Sequence, residues 1–422
     1  MLVTDLFQFV LKMGMVIVLA VLAVRAVGGM DALKIKITAL DASTGQAGSR
    51  LSFFPGLDSV WMPAITLFTY LAVNWWASWY PGAEPGGGGY VAQRIFSAKD
   101  ERHGLLATLW FNIAHYALRP WPWILTALAS LILYPELADK ETGYIRTLMD
   151  PNVFPVYLRG FMLAAFAAAY MSTIGTQLNW GASYVINDFY RRFVKREGSE
   201  RHFVIASQLV TVLLMIVSLI VTFYLESIGS AWKLLLVTGA GTGTVLLLRW
   251  FWWRINAWSE VSAMIAAAAC SLFLQLVLKW NSDNPRDFAY LMLVTVGFTS
   301  VVWLSVTLLT RAEPIEKLVS FYRKVQPEGP GWSRIAAAAG LQRSTASGGL
   351  AVQFANWFLG CVLIYAFLFG IGYVIFGEML KGAACLLGGV IAGALIIRNL
   401  QRAAWQPTAA DTPQVGQAVS EV

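Results

Sequence analysis

The chain has 422 residues, 57% of them hydrophobic and only 13% charged, with a mean hydropathy of +0.60. A soluble domain carries about 25% charged residues, so the composition excludes one and points to an all-α polytopic membrane protein. The net charge of +7 lies in loops without a long basic stripe, which argues against a nucleic-acid surface, and three cysteines without CxxC and three histidines give no metal signal.

Hydropathy predicts about ten crossings, at 5–27, 59–80, 104–133, 157–185, 203–225, 233–250, 259–278, 289–309, 353–376 and 380–397. The first is a long apolar run interrupted by Lys12, which reads as a true span rather than a signal peptide. The second closes on Thr69–Tyr80, where Asn74 can hydrogen-bond a substrate and Trp75 or Trp76 can stack on one. An aromatic belt at the inner interface explains the same residues, and is favoured for Trp79 and Tyr80. The glycine-rich break 81–89 lacks the Gly-Lys-Ser/Thr of a phosphate loop.

The third span carries Asn112, His115 and Arg119 at spacings of three and four, which share one face of an α-helix. An ionisable group at membrane depth is a functional candidate. Pro120 and Pro122 kink this helix and free carbonyls that Arg119 can satisfy instead.

The fourth span carries the most information. Ser172, Thr173, Thr176, Gln177 and Asn179 sit in or at the inner end of an apolar run. Polar groups there cost free energy unless they pair or line a water-accessible path. Ser172 and Thr173 offer two adjacent hydroxyls, hard ligands suited to Na⁺. Bonding back to carbonyls one turn earlier accounts for them equally well. In the sixth span, Gly239-Ala-Gly-Thr-Gly243 suggests close packing or a hinge, and Gly389-Val-Ile-Ala-Gly393 in the last is a GxxxG packing face.

Lys and Arg are more frequent in loops 81–102, 186–202, 249–258 and 310–352, which puts the amino terminus inside. Loop 310–352 reads as a surface helix from Pro314 to Val325 followed by a Gly/Ser/Ala-rich tether, and 401–422 as a polar tail. No nucleophile–base pair or paired inward carboxylates occur, so an enzyme is not expected.

Four passages together resemble the sodium:solute symporter family, which includes sodium-coupled sugar, proline and pantothenate carriers. Thr4-Asp5-Leu6-Phe7-Gln8 resembles the family's Thr-Asp-x-x-Gln element on the fifth core helix. Gln93-Arg94 with Ala98-Lys99 resembles the inner loop after the sixth. Ala169-Tyr-Met-Ser172-Thr173, running to Asn187-Asp188-Phe189-Tyr190, resembles the eighth, and Arg249-Trp-Phe-Trp-Trp-Arg254 the inner end of the tenth.

The resemblance implies a LeuT-type inverted-repeat fold, present here in part. Residues 1–30 would be the last helix of the first repeat, 59–256 the second five-helix repeat and 257–309 two additional helices. Residues 310–352 would be a cytoplasmic loop and 353–400 two C-terminal helices. Ala169 would give Na⁺ a carbonyl, and Ser172 and Thr173 their hydroxyls. Asn74, Trp75, Trp76, Asn112 and His115 would meet substrate, and Asp5 and Arg119 would serve coupling or gating. Asn112 and Trp232 stand where sugar carriers place lysine and glutamine, which argues against a sugar site.

Four core helices should precede Asp5, so the resemblance implies a fragment whose missing helices lie in the same or a partner chain. The expected function is uptake of a small polar organic solute across the cytoplasmic membrane, coupled to Na⁺ and without organic cofactor. A non-transporting sensory or assembly module on the same scaffold is the alternative.

Overall fold

The computed structural model describes residues 2–45, 50–56, 59–78, 89–225, 227–341 and 349–402. Among these the regular secondary structure is helical, apart from two isolated β-bridges. Helix α1 (Leu2–Val27) leads into α2 (Met30–Ser43). Helix α3 covers 64–77 as three continuous pieces, Ala64–Phe68, a π-turn at Thr69–Asn74 and Trp75–Ala77. Then come α4 (Gly89–Phe96), α5 (Glu101–Asn112), a π-turn at Ile113–Leu118, α6 (Pro120–Leu133) and α7 (Gly143–Met149). Helix α8 (Val156–Ser183) continues as a π-helix over Tyr184–Val194. Helices α9 (Glu200–Phe223), α10 (Ile228–Thr238), α11 (Thr242–Leu248), α12 (Ala257–Leu272) and α13 (Pro285–Leu309) follow. The short helices α14 (Ile315–Val325) and α15 (Ser333–Ala338) precede the hairpin of α16 (Gly349–Ile375) and α17 (Met379–Arg402).

Among the described residues, seven helices are long and apolar enough to cross a membrane. They match seven of the ten predicted crossings, as befits a multi-pass membrane protein. The other three predicted crossings are helical but interrupted. The second is α3 with its π-turn, the third is divided by the π-turn before Pro120, and the sixth breaks between α10 and α11. Proline has no N–H to give and fits the first turn of a helix, so α6 starts at Pro120.

The chain divides into two compact units, one of Met1–Gly56 with Arg119–Lys233, the other of Leu57–Leu118 with Leu234–Val422. In the first, α1 packs on α6 and α8, and α8 on α9. Its core joins Met15 and Leu19 of α1, Leu148, Phe154, and Met162 and Ala165 of α8. Helix α1 stops at Gly28 and Gly29, whose φ of 112° and 94° lie where only glycine is unstrained. Lys36 Nζ of α2 donates to the last carbonyl, Val27 O, at 2.8 Å, a cation at the negative end of a helix. Helix α2 was not apparent in the sequence. It buries Leu33, Ile37 and Asp41, and the Asp41 carboxylate accepts the Arg50 backbone N–H at 3.1 Å and its guanidinium.

In the second unit α3, the end of α10, and α13 share one core, which includes Val73, Ala77, Val237, Ala240, Phe288 and Met292. Helices α12 and α13 pair along their length, as do α16 and α17. At Gly389 and Gly393 an added Cβ would lie 3.3 Å from Phe367 and 3.1 Å from Leu363, so this GxxxG face packs as its sequence suggests.

Candidate functional site

The Na⁺ candidates lie on α8. Met162 and Ala165 are buried against α1, and spacings of four and three carry the same stripe on to Ala169 and Ser172, both half-buried. Ala169 and Ser172 therefore continue the packed face of α8, while Thr173, one residue on, is exposed. One turn later Thr176 Oγ1 donates back to Ser172 O at 2.8 Å, so part of this polar run is absorbed by its own helix. The small residues of α8 allow the close approach of α1.

A further residue of this neighbourhood is Gln8 on α1. Its side-chain oxygen is buried with no hydrogen-bond partner, in a helix that packs on α8. An orphaned buried amide oxygen is unusual enough to need a reason. The sequence displays Gln8 three residues after Asp5, but nothing in its spacing says that the oxygen lacks a partner. The side-chain surroundings of Asp5 lie outside the described residues. Arg119 begins the first unit's second segment, with its guanidinium 6.0 Å over the Trp123 ring on the next turn of the chain.

The substrate candidates all belong to the second unit. Asn74 Oδ1 accepts from Ser78 Oγ at 2.8 Å, Trp76 Nε1 donates to Ala72 O at 2.6 Å, and Asn112 Nδ2 donates to Thr108 O at 2.8 Å. Three of the proposed substrate contacts thus have partners on neighbouring turns of the chain. Trp75 stacks on Trp357 of α16 with centroids 5.3 Å apart. His115 stacks on Phe111 at 5.1 Å and meets the edge of Tyr116 at 4.6 Å. Its segment packs on α16 as well.

The single face expected for Asn112, His115 and Arg119 needs correction. Residues 113–118 are π-helical, and the i→i+5 bonding of a π-turn adds a residue per turn, so the 3.6-residue register does not carry across it. Such π-turns concentrate at functional sites, and two of them here, at Thr69–Asn74 and Ile113–Leu118, hold Asn74 and His115. Trp79, Tyr80 and the glycine-rich break up to residue 88 lie outside the described residues.

Among the described residues no group of three or more His, Cys, Asp or Glu comes together to hold a metal. The donors available on α8 are neutral hydroxyl and carbonyl oxygens, chemistry suited to a weakly held alkali cation rather than to a transition metal.

Residues 1–267 match the sodium:solute symporter family. The chain is 29% identical over 198 residues to the high-affinity proline transporter PutP of Bacillus subtilis, which covers 45% of this chain and 40% of that protein. It is 31% identical over 141 residues to the osmoregulated proline transporter OpuE of the same organism, covering 32% and 28%. It is 23% identical over 233 residues to the sodium/glucose cotransporter of Vibrio parahaemolyticus, covering 50% and 41%. The chain thus spans less than half the length of each of these relatives.

Proposed function

The chain belongs to the sodium:solute symporter family, and on that premise we propose that it works as a Na⁺-coupled symporter carrying a small polar organic solute across the cytoplasmic membrane. The observation that best supports this reading is that Ala169 and Ser172 continue the stripe of α8 that packs on α1, within the family-matched residues. On this reading the Ala169 carbonyl and the Ser172 and Thr173 hydroxyls ligate Na⁺, with Gln8 Oε1 of α1 as a further oxygen. Na⁺ usually needs about six oxygens, as hard cations do. The rest would come from the earlier core helices of the LeuT-type fold, in the same or a partner chain.

Asn74, Trp75, Trp76, Asn112 and His115 face the solute in this proposal. To do so, Asn74, Trp76 and Asn112 exchange the local hydrogen bonds described above for bonds to substrate. Asp5 and Arg119 take part in coupling or gating. Na⁺ favours the conformation that binds solute well, by its differential affinity for the two states, and the solute favours Na⁺ by the same factor. Two of the similar proteins are named as proline transporters, so proline is the solute to test first.

The test is uptake of labelled proline by membrane vesicles from cells making the native polypeptide, with Na⁺ or choline outside. Ser172→Ala with Thr173→Ala should abolish the Na⁺ stimulation while the protein remains in the membrane. Unchanged Na⁺ dependence would remove these residues from the site.

A further inference from the structure

In the second unit two helices end against each other. Helix α3 stops at Ala77, and Ser78 turns to extended backbone. Helix α10 stops at Thr238, and the chain passes through Gly239 and Ala240 to Gly241, whose φ is 93°. Gly241 N–H donates to Ala77 O at 2.8 Å, and Ser78 and Ala240 pair as an antiparallel bridge. The junction is buried, with Ala77 and Ala240 fully enclosed and Ser78 nearly so. Two helix C-termini, each the negative end of a dipole, therefore meet away from water. The N-terminus of α11 opens at the same point, its N-cap Gly241 giving its N–H to Ala77 O, while residues 64–78, 234–248 and 288–309 contain no charged side chain or histidine.

Helix α13 closes the junction with hydroxyls. Thr299 lies against Gly241, such that a Cβ there would be 2.6 Å from Thr299 Cβ and 3.2 Å from its Oγ1. Thr299 is 0% exposed and its Oγ1 has no hydrogen-bond partner. Thr295, one turn earlier and equally buried, has no oxygen or nitrogen partner and meets the Cys270 thiol instead. Other buried threonines use their hydroxyls: Thr69 bonds back to Ile65 O, Thr126 to Pro122 O and Thr147 to Gly143 O, and Thr66 reaches Pro285 O. Thr299 departs from that pattern. A buried hydroxyl left unbonded is costly, which at Thr299 points to a ligand against the break.

We propose that the junction of Ser78, Gly239–Gly241 and Thr299 is a cation site that takes Na⁺. Its donors are neutral oxygens, the hydroxyls of Thr299, Thr295 and Ser78 and carbonyls at the ends of α3 and α10. Unwound carbonyls and helix C-terminal ends are the groups that coordinate Na⁺ in broken membrane helices. Without a carboxylate the site selects a monovalent cation over Ca²⁺ or Mg²⁺. It shares no residue with the α8 site, so it stands or falls apart from the proposed function. Occupation would tie α3, α10 and α13 together at the break, making its geometry Na⁺-dependent.

The experiment is thermal unfolding of the purified chain in detergent, in NaCl or an equal concentration of choline chloride. It is done in a Ser172→Ala, Thr173→Ala background, so that the α8 site does not contribute. Na⁺ should raise the melting temperature by about 2 °C or more. Thr299→Val should remove that rise and Thr299→Ser should keep it. If Thr299→Val does not fold, Thr295→Val carries the same test. No Na⁺-specific rise in the background protein, or a rise that survives the valine variants, overturns the proposal. A fall in stability on Thr299→Val that is equal in both salts would mean a buried water only, and overturns it as well.

Discussion

Gly331→Ala should detach the short helices α14 and α15 from the end of α11. Gly331 N–H donates to Phe251 O at 3.0 Å, and the next residue, Trp332, donates through Nε1 to Arg249 O at 3.1 Å. A Cβ at 331 would lie 2.3 Å from Phe251 O, with backbone on the other side that no rotamer change can move. The segment must retreat by about 1 Å to reach ordinary contact, and both hydrogen bonds lengthen beyond use. Trp332 is buried with Leu318, Tyr322, Ile335, Ala336 and Ala339 in one small cluster. Two bonds at about 1 kcal/mol each and about 1 kcal/mol of disturbed packing make about 3 kcal/mol. At a factor of ten per 1.4 kcal/mol, hydrogen exchange of amides 331–339 should speed up by about 100-fold. Gly297→Ala is the control, because nothing lies within 4 Å of that Cβ. Exchange in Gly331→Ala within threefold of the parent would refute the close-approach reasoning.

Other tests address the segments around Arg50, Tyr144 and Asp150 and the helix break. Arg50→Ala leaves the fully buried Asp41 without its ion pair. It should cost about 3 kcal/mol or more, read as a lowered melting temperature, with Arg50→Ala, Asp41→Asn partly restored. Burial pushes the Tyr144 hydroxyl up to about 12. Its folded value lies above the unfolded one, so its contribution is complete below about pH 10 and is lost as pH rises towards 12. Spectrophotometric titration giving Tyr144 an ordinary midpoint would contradict that burial. Asp150 is held below the usual carboxylate range, first by the Asn152 backbone N–H and then by the Tyr134 hydroxyl at 2.8 Å. Its contribution is present above about pH 4 and is lost as pH falls through its lowered value, so Asp150→Asn should flatten the acid limb of a stability profile. Gly241→Ala combines a left-handed φ with the Thr299 overlap and should cost about 2 kcal/mol or more in unfolding. A neutral effect would mean that the break is not fixed as described.

The residues proposed for the α8 site were legible in the sequence as residue types, since Ser172 and Thr173 stand out against an apolar run. The face they occupy follows only from the burial of Met162 and Ala165 against α1. The substrate candidates were legible as residue types, but their partners were not. Asn112 reaches Thr108 O and Trp76 reaches Ala72 O only because the local helix is wound as it is. The register of His115 was misread for the same reason, since a π-turn leaves no mark on an apolar segment. Trp357, far along the chain, could not be matched to Trp75 without the packing of α16.

By itself the sequence determined what hydropathy dictates, the membrane class, the approximate crossings and the polar residues that the bilayer makes expensive. It also named Gly239–Gly243 as a hinge or packing element without choosing between them. The tertiary structure decided that choice. A helix rich in apolar residues on every side has no periodic signal for where it must break, and a break is stable only if its freed backbone groups find partners. Here the partner is Ala77 O, more than 160 residues earlier in the chain. Whether a buried hydroxyl bonds back to its own helix likewise depends on what packs around it, as at Thr299 against Gly241.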